Sequence, residues 1–246
     1  MKGKPIGILI ALLSFLGVLI ALPTVASAEV VTMHLTQPPG GNTLYNIYLS
    51  PYAATIDGAT QSVPVICDDF TDDTYIDEKW SATVYDGGAD LSGTRMAQKN
   101  PLWSSEELNQ AYDAAAYLAV QLLQSGVNGP DQGYLSFAIW DIFADGAVHD
   151  FFGNTQYYSD VNGIARSALT NATPGERSIL TIYSPNVGQA PTCGTGACPT
   201  APPQEFLVVR TPEASIPAYL GINLLGLLAV LLLVRRRFPW NSGAPN

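Results

Sequence analysis

The chain closes on an apolar run, Ile216 to Val234, interrupted only by Asn223 and followed at once by Arg235-Arg236-Arg237. A helix needs roughly 20 apolar residues to cross a bilayer. A soluble helix of that length shows one polar face, and this run shows none. It therefore predicts a transmembrane helix over 216–234, with Arg235, Arg236 and Arg237 as a basic stop on the cytoplasmic side and 238–246 as a short cytoplasmic tail. The opposite end carries a second apolar stretch. Lys2 and Lys4 precede Ile6 to Leu22, and Ala26-Ser27-Ala28 supplies the small residues of a cleavage site. Residues 1–28 thus read as a signal peptide cut after Ala28, with Glu29 as the mature start. The two ends confine the folding unit to 29–210, a length that suits one domain.

The segment before the terminal helix reads Thr211-Pro212-Glu213-Ala214-Ser215. A short polar motif, an apolar helix and a basic cluster in that order resemble the PEP-CTERM sorting tails of Gram-negative bacteria. Pro212 and Glu213 match the first two motif positions, and Ala214 stands where the family has its second proline. The resemblance covers 211–237 and implies export through the Sec translocon, then recognition by an exosortase. It also implies an inner-membrane stage before release to the outer surface or the extracellular matrix, where exopolysaccharide is a partner.

Within 29–210 there are 20 acidic residues against 6 basic ones, a net charge of −14. Such a surface repels phosphate backbones and argues against nucleic acid as a partner. Of three cysteines, Cys193 and Cys198 flank Gly-Thr-Gly-Ala and predict a loop disulfide, the expected use of cysteine in an exported chain. A zinc site would need two further ligands, and none is nearby. Cys67 is left over.

The residue pattern is β, then α, then β. Val30 to Leu35, Thr43 to Leu49, Ala53 to Ile56, Ser62 to Cys67 and Lys79 to Tyr85 predict strands, with Asp57-Gly58 turning a hairpin and Pro64 marking an edge or bulge. Ser104 with Glu107 forms a capping-box signature ahead of Leu108, Ala111, Tyr112, Ala115, Leu118, Ala119 and Leu122 at helical spacing. A helix capped by Asp131 and another over Tyr157 to Leu169 follow, then strands at Ser178 to Tyr183 and Glu205 to Val209. The expectation is an α+β fold: one ectodomain with a sandwich-like or barrel-like strand layer, covered by about three helices.

Two stretches stand out together, Val65-Ile66-Cys67-Asp68-Asp69-Phe70 and Leu135-Ser136-Phe137-Ala138-Ile139-Trp140. The pair resembles the thioester domains of Gram-positive surface adhesins, in which a cysteine bonds the glutamine of a Thr-Gln-x-Ala-Ile-Trp motif. Here Ser136 occupies the glutamine position, and a hydroxyl offers no acyl carbon. Gln132, one helical turn earlier, is not taken as its substitute. The resemblance therefore implies a related fold without the covalent chemistry, and Cys67 reads as a buried core thiol. The same residues, with the Trp80 strand and the Tyr/Ala-rich helix, also resemble acidobacterial PEP-CTERM proteins to which no activity is attached.

The run Asp68, Asp69, Asp72, Asp73, Asp77 and Glu78 offers calcium candidates in Asp69, Asp72 and Asp73. It lacks EF-hand spacing and reads as a solvated acidic loop, so no metal or other cofactor is expected. Tyr45, Tyr48, Tyr52, Tyr157 and Tyr158 are aromatics that could stack on sugars, against the commoner role of packing. No G-x-S-x-G, H-E-x-x-H or P-loop occurs, and the two histidines, His34 and His149, are far apart in sequence. No catalytic residue is assigned. The expected role is structural or adhesive, with a secreted hydrolase or a covalent adhesin as alternatives.

Overall fold

Strict alternation along the first strand turns Val31, Met33 and Leu35 inward and leaves Val30, Thr32 and His34 toward solvent. That strand belongs to a computed structural model that describes residues 29–37, 43–124, 129–186, 188, 190–194 and 202–210. The expected signal peptide, the 211–237 tail with its 216–234 helix, the 238–246 segment and Cys198 lie outside the described residues. Among the described residues no helix is long and apolar enough to cross a membrane.

The strands are β1 (Glu29–Gln37), β2 (Thr43–Leu44), β3 (Ile47–Tyr48), β4 (Tyr52–Ile56), β5 (Val63–Cys67), β6 (Glu78–Asp86), β7 (Leu180–Pro185), β8 (Thr192–Cys193) and β9 (Phe206–Val209). The large sheet runs β1-β4-β5-β9-β7-β6-β8, and β1 also pairs with β6. Six antiparallel strands thus close into a barrel, with β8 as an appendage on β6. Closure removes the exposed edges that an open sheet would present. Barrels of roughly eight strands are just wide enough for side chains to fill them, so six strands make a packed core. Register places Val31 with Ala82, Met33 with Trp80, Tyr52 with Val65 and Cys67 with Phe206 on the inner face. Outward-facing Ile66, Leu207, Ile182 and Leu180 are also fully buried, because the helices cover that side.

The helices are α1 (Arg95–Lys99), α2 (Ser105–Leu122), α3 (Gly129–Phe152) and α4 (Gln156–Asn171), with a 3-10 turn at Glu176–Ile179. The capping box forms as expected: Ser104 Oγ accepts the Glu107 N–H, and the Glu107 carboxylate accepts the Ser104 N–H at 2.7 Å. Helix α2 is the central one, buried nearly all round by its run of alanines, and it packs against α3, α4, the 3-10 turn and β9.

Four details depart from the sequence reading. The stretch Thr43 to Leu49 is a two-stranded hairpin, because Tyr45 and Asn46 take positive φ and reverse the chain between β2 and β3. Asp131 lies inside the first turn of α3, which begins at Gly129. That helix runs on to Phe152 across a kink at Ala144, where Asn100 Nδ2 donates to the Phe143 carbonyl at 3.3 Å. Helix α1 adds a fourth α-helix to the three expected. The Asp57-Gly58 hairpin is present with both residues at positive φ, and Pro64 sits where β5 pairs with β4 but not with β9.

Asp113 fastens the helices to the barrel. From α2 it accepts the N–H of Gly175 at 3.2 Å and of Arg177 at 2.8 Å, and it pairs with Arg177 Nη1 at 3.1 Å. Gly87 at the end of β6 packs so tightly on this turn that a Cβ there would collide with the Arg177 carbonyl. Removing one member of a buried pair leaves the other unpaired, at a cost of about 3 kcal/mol. Asp113→Ala is expected to lower unfolding stability by about that amount in urea titration, and a loss below ~1 kcal/mol would show that the turn is held by packing alone.

Candidate functional site

At the pole of the barrel where β5 ends and β9 begins, the chain buries an unusual number of ionisable side chains. Cys67 and Phe206 pair across β5 and β9, so Asp68 and Glu205, the next residues outward on each strand, come together. Both are fully buried. Glu205 accepts the Tyr112 hydroxyl from α2 at 2.5 Å and the Arg95 N–H from α1 at 2.7 Å, and Ser184 of β7 also hydrogen-bonds it. Among the described residues neither oxygen of Asp68 has a hydrogen-bond donor. A proton on Asp68 resolves this, because it makes Asp68 the donor to Glu205. Burial, then the Glu205 charge, pushes the Asp68 carboxyl well above its ordinary range. Burial also raises Glu205, although Ser184, Tyr112 and Arg95 act to hold it ionised.

A second group flanks the first. Asp69 and Asp72 converge on α1: Lys99 Nζ lies 2.5 Å from Asp69 Oδ1 and 2.8 Å from Asp72 Oδ2, and Arg95 Nη2 is 2.7 Å from Asp72 Oδ2. Burial opposes ionisation of Asp72, but Lys99 and Arg95 outweigh it and hold the carboxyl low. For Asp69 burial wins, and the carboxyl is raised despite Lys99. The run is therefore not a solvated acidic loop. Asp68, Asp69 and Glu78 are buried, while Asp73 is exposed. Cations of the protein itself occupy the space where calcium was considered. Among the described residues no three His, Cys, Asp or Glu side chains are grouped to hold a metal ion.

Cys67 closes the pole from inside. Its N–H donates to Ser50 Oγ at 3.0 Å, and its thiol donates to the Asp69 carbonyl at 3.2 Å. Gln132 of α3 donates its amide to the Ser50 carbonyl at 2.7 Å. The Trp140 ring packs against Phe70 and Phe137 at 5.3 and 4.9 Å. The two stretches singled out in the sequence, around Cys67 and around Trp140, thus meet in space. Ser136 is buried one turn before Trp140, and its hydroxyl has no hydrogen-bond partner among the described residues. Burial, then the Asp69 and Asp68 charges, raise the Cys67 thiol well above its usual range, which disfavours the nucleophilic thiolate.

The remaining candidates separate. Tyr52 is buried in the barrel, and Tyr157 and Tyr158 are half-buried. Tyr45, 55% exposed at the hairpin tip, is held edge-on by Phe151, Phe152 and Tyr157, and Tyr48 beside it is 45% exposed. His34 contacts Asp77 at 3.6 Å, and His149 contacts Asp150 at 3.5 Å. Cys193 sits in β8 beside Glu78. Sequence reasoning passed over Glu205 and Tyr112. The usable signal for Glu205 was a lone carboxylate flush against the apolar Phe206-Leu207-Val208-Val209, where a charge is costly unless paired.

No family model matches the sequence, and no curated protein matches it. Among solved structures the chain is similar to the N-terminal domain of the Streptococcus pyogenes pilus tip adhesin Cpa, at 12% identity and a TM-score of 0.35, over 76% of this chain and 96% of that one. A likeness at that TM-score transfers no residue role.

Two outcomes follow from the geometry. A carboxyl raised in the folded state contributes stability that is full below the unfolded carboxylate pKa and is lost as pH rises through the folded value. For Asp68 this means weakening from the acidic side upward. Asp68→Asn keeps an N–H donor toward Glu205 and removes the proton. It is expected to flatten the decline seen by denaturant unfolding at successive pH values, and an unchanged slope would place the proton elsewhere. Cys67 is expected to resist neutral thiol reagents in the native protein and to react once denaturant is added, as read by mass. Rapid native labelling would contradict the sealed thiol.

Proposed function

We propose that the chain is an exported, non-enzymatic protein of the Gram-negative cell surface or extracellular matrix, delivered by residues 1–28 and sorted or anchored through the PEP-CTERM-like tail at Pro212, Glu213 and Ala214. The observation that carries this reading is the placement of the two ends of the described domain. Glu29, the expected mature start, and Arg210, the residue before the tail, line the same cavity of about 670 Å³ at one pole of the barrel. Arg210 is fixed there by Asp86 at 2.7 Å and by the Ser178 carbonyl. Along β9 the chain runs from Glu205 at the acidic pole to Arg210 at this one. A head whose leader and tail depart side by side presents its far pole and its flanks outward when held by the tail.

A structural or adhesive role fits the side chains as well. The strongly perturbed carboxyls and the thiol at the acidic pole are buried among partners that fasten α1, α2, β7 and β9 to one another. Groups used in that way are withheld from a substrate. The exposed aromatics Tyr45, Tyr48 and Phe151 lie together on the outside, and rings of this kind suit contact with exopolysaccharide. The alternative, a secreted hydrolase, requires an open cleft that gathers carboxylates or a His with its nucleophile.

The intact mass of the protein isolated from its native host tests the sorting claim. A mass ending near Pro212, with the domain accessible to protease on whole cells, is the expected result. A mass running through Asn246 would make the chain an ordinary single-pass anchor and remove the exosortase from its route.

A further inference from the structure

We propose that Lys99 and Asp69 are the site of an intramolecular amide bond, formed between Nζ of Lys99 and Cγ of Asp69 with Asp72 as the proton carrier. The amine, the acceptor carboxyl and a second acid meet in one place: Nζ is 2.5 Å from Asp69 Oδ1 and 2.8 Å from Asp72 Oδ2. The Asp69 side chain is 1% exposed and that of Lys99 22%. The two oxygens of Asp69 are also unlike. Oδ1 accepts the N–H and the hydroxyl of Thr71, each at 3.1 Å, in addition to Lys99. Oδ2 is buried and meets no N–H or O–H donor among the described residues. The two Thr71 donors polarise the carbonyl and stay in place to stabilise the oxyanion that forms when the Lys99 amine adds. The bare oxygen is the place for the acid proton, and Asp72 is hydrogen-bonded to this carboxyl. Burial favours the neutral acid at Asp69 even with Lys99 beside it.

The step balances without an outside reagent. A proton passes from the Lys99 ammonium to Asp69 through Asp72, leaving a neutral amine beside a neutral carboxylic acid. The amine lone pair attacks Cγ and the N–C bond forms. The bond from Cγ to Oδ2 breaks, the departing hydroxyl takes an amine proton by way of Asp72, and one water leaves. Asp72 ends in the state in which it began. Holding both reactants in contact removes the entropic barrier that makes this condensation slow between free molecules. The product ties the loop after β5 to the last turn of α1, beside the carboxyl pair at the acidic pole. It is independent of how the chain is sorted.

The test is the mass of the purified, reduced full chain, with both termini read from their own peptides. The expected result is a chain short by one water, and a protease digest containing a branched peptide that joins the segment of Asp69 to that of Lys99. The shortfall is expected to persist in hydroxylamine, which would cleave a thioester and which an amide resists. Lys99→Arg keeps a cation against Asp69 and Asp72 and is expected to restore the missing water. Asp72→Asn is expected to leave most molecules unlinked. A wild-type chain at full mass, with linear peptides for both segments, overturns the proposal. So does a water lost without the branched peptide, as in cyclisation at an aspartate. The wild-type result decides the matter even if a variant fails to fold.

Discussion

A carboxylate taken fully out of water must be met by partners, and at Glu205 each partner comes from a different part of the chain. Tyr112 reaches it from α2, the Arg95 N–H from α1, Ser184 from β7 and Asp68 from the end of β5. The penalty for leaving such a group unpaired is several kcal/mol. Glu205 therefore acts as a positional constraint more than as a source of net stability. Once β9 is seated in the barrel, the first turn of α1 and the middle of α2 have little freedom over where they can lie. The apolar contacts of Ile66, Leu207, Ile182 and Leu180 supply the burial, and the carboxylate selects one arrangement of the helices above them.

The same economy governs the few cations. The domain has six basic residues, and Arg95, Lys99, Arg177 and Arg210 are all committed to ion pairs with aspartates. Three of these pairs lie in the interface between helices, loop and barrel, where screening by water and salt is weaker than at the surface. Lys79 and Arg166 remain to balance the outer carboxylates. Half of the positive charge is thus spent on internal joints, each cation paired there with an aspartate. A surface of this charge repels anionic polymers.

Local signals were legible in the sequence. The capping box at Ser104 and Glu107, the Asp57-Gly58 turn and the period-two strands depend on residues within a few positions of one another, and all are present in the structure. The stretches around Cys67 and Trp140, distant in sequence, were linked by resemblance, and the fold does bring them together. What escaped notice was set by tertiary context. Closure of β1 on β6 leaves no composition signal, so sandwich and barrel could not be told apart. The five residues of α1 are too few to show a period, and Arg95 is held by Ser184 and Glu205, far along the chain. Tyr45 was placed in a strand because an aromatic at positive φ is not anticipated; the hairpin carries that strain by docking the ring on Phe151 and Phe152. The acidic loop was read as solvated because its cations, Arg95 and Lys99, stand more than twenty residues away.

These features bear on function through where the polar chemistry sits. Here the perturbed groups form the joint between barrel and helices. Cys67, with its thiol donated to a carbonyl and two acids nearby, is held away from the nucleophilic thiolate. The exposed features are an aromatic hairpin tip and a broad acidic surface, on a domain in which Glu29 and Arg210 line one cavity at the opposite pole. A pull applied at Arg210 would pass into β9, the strand that follows Glu205. The polar contacts of Glu205 fasten the start of that strand to α1, α2 and β7.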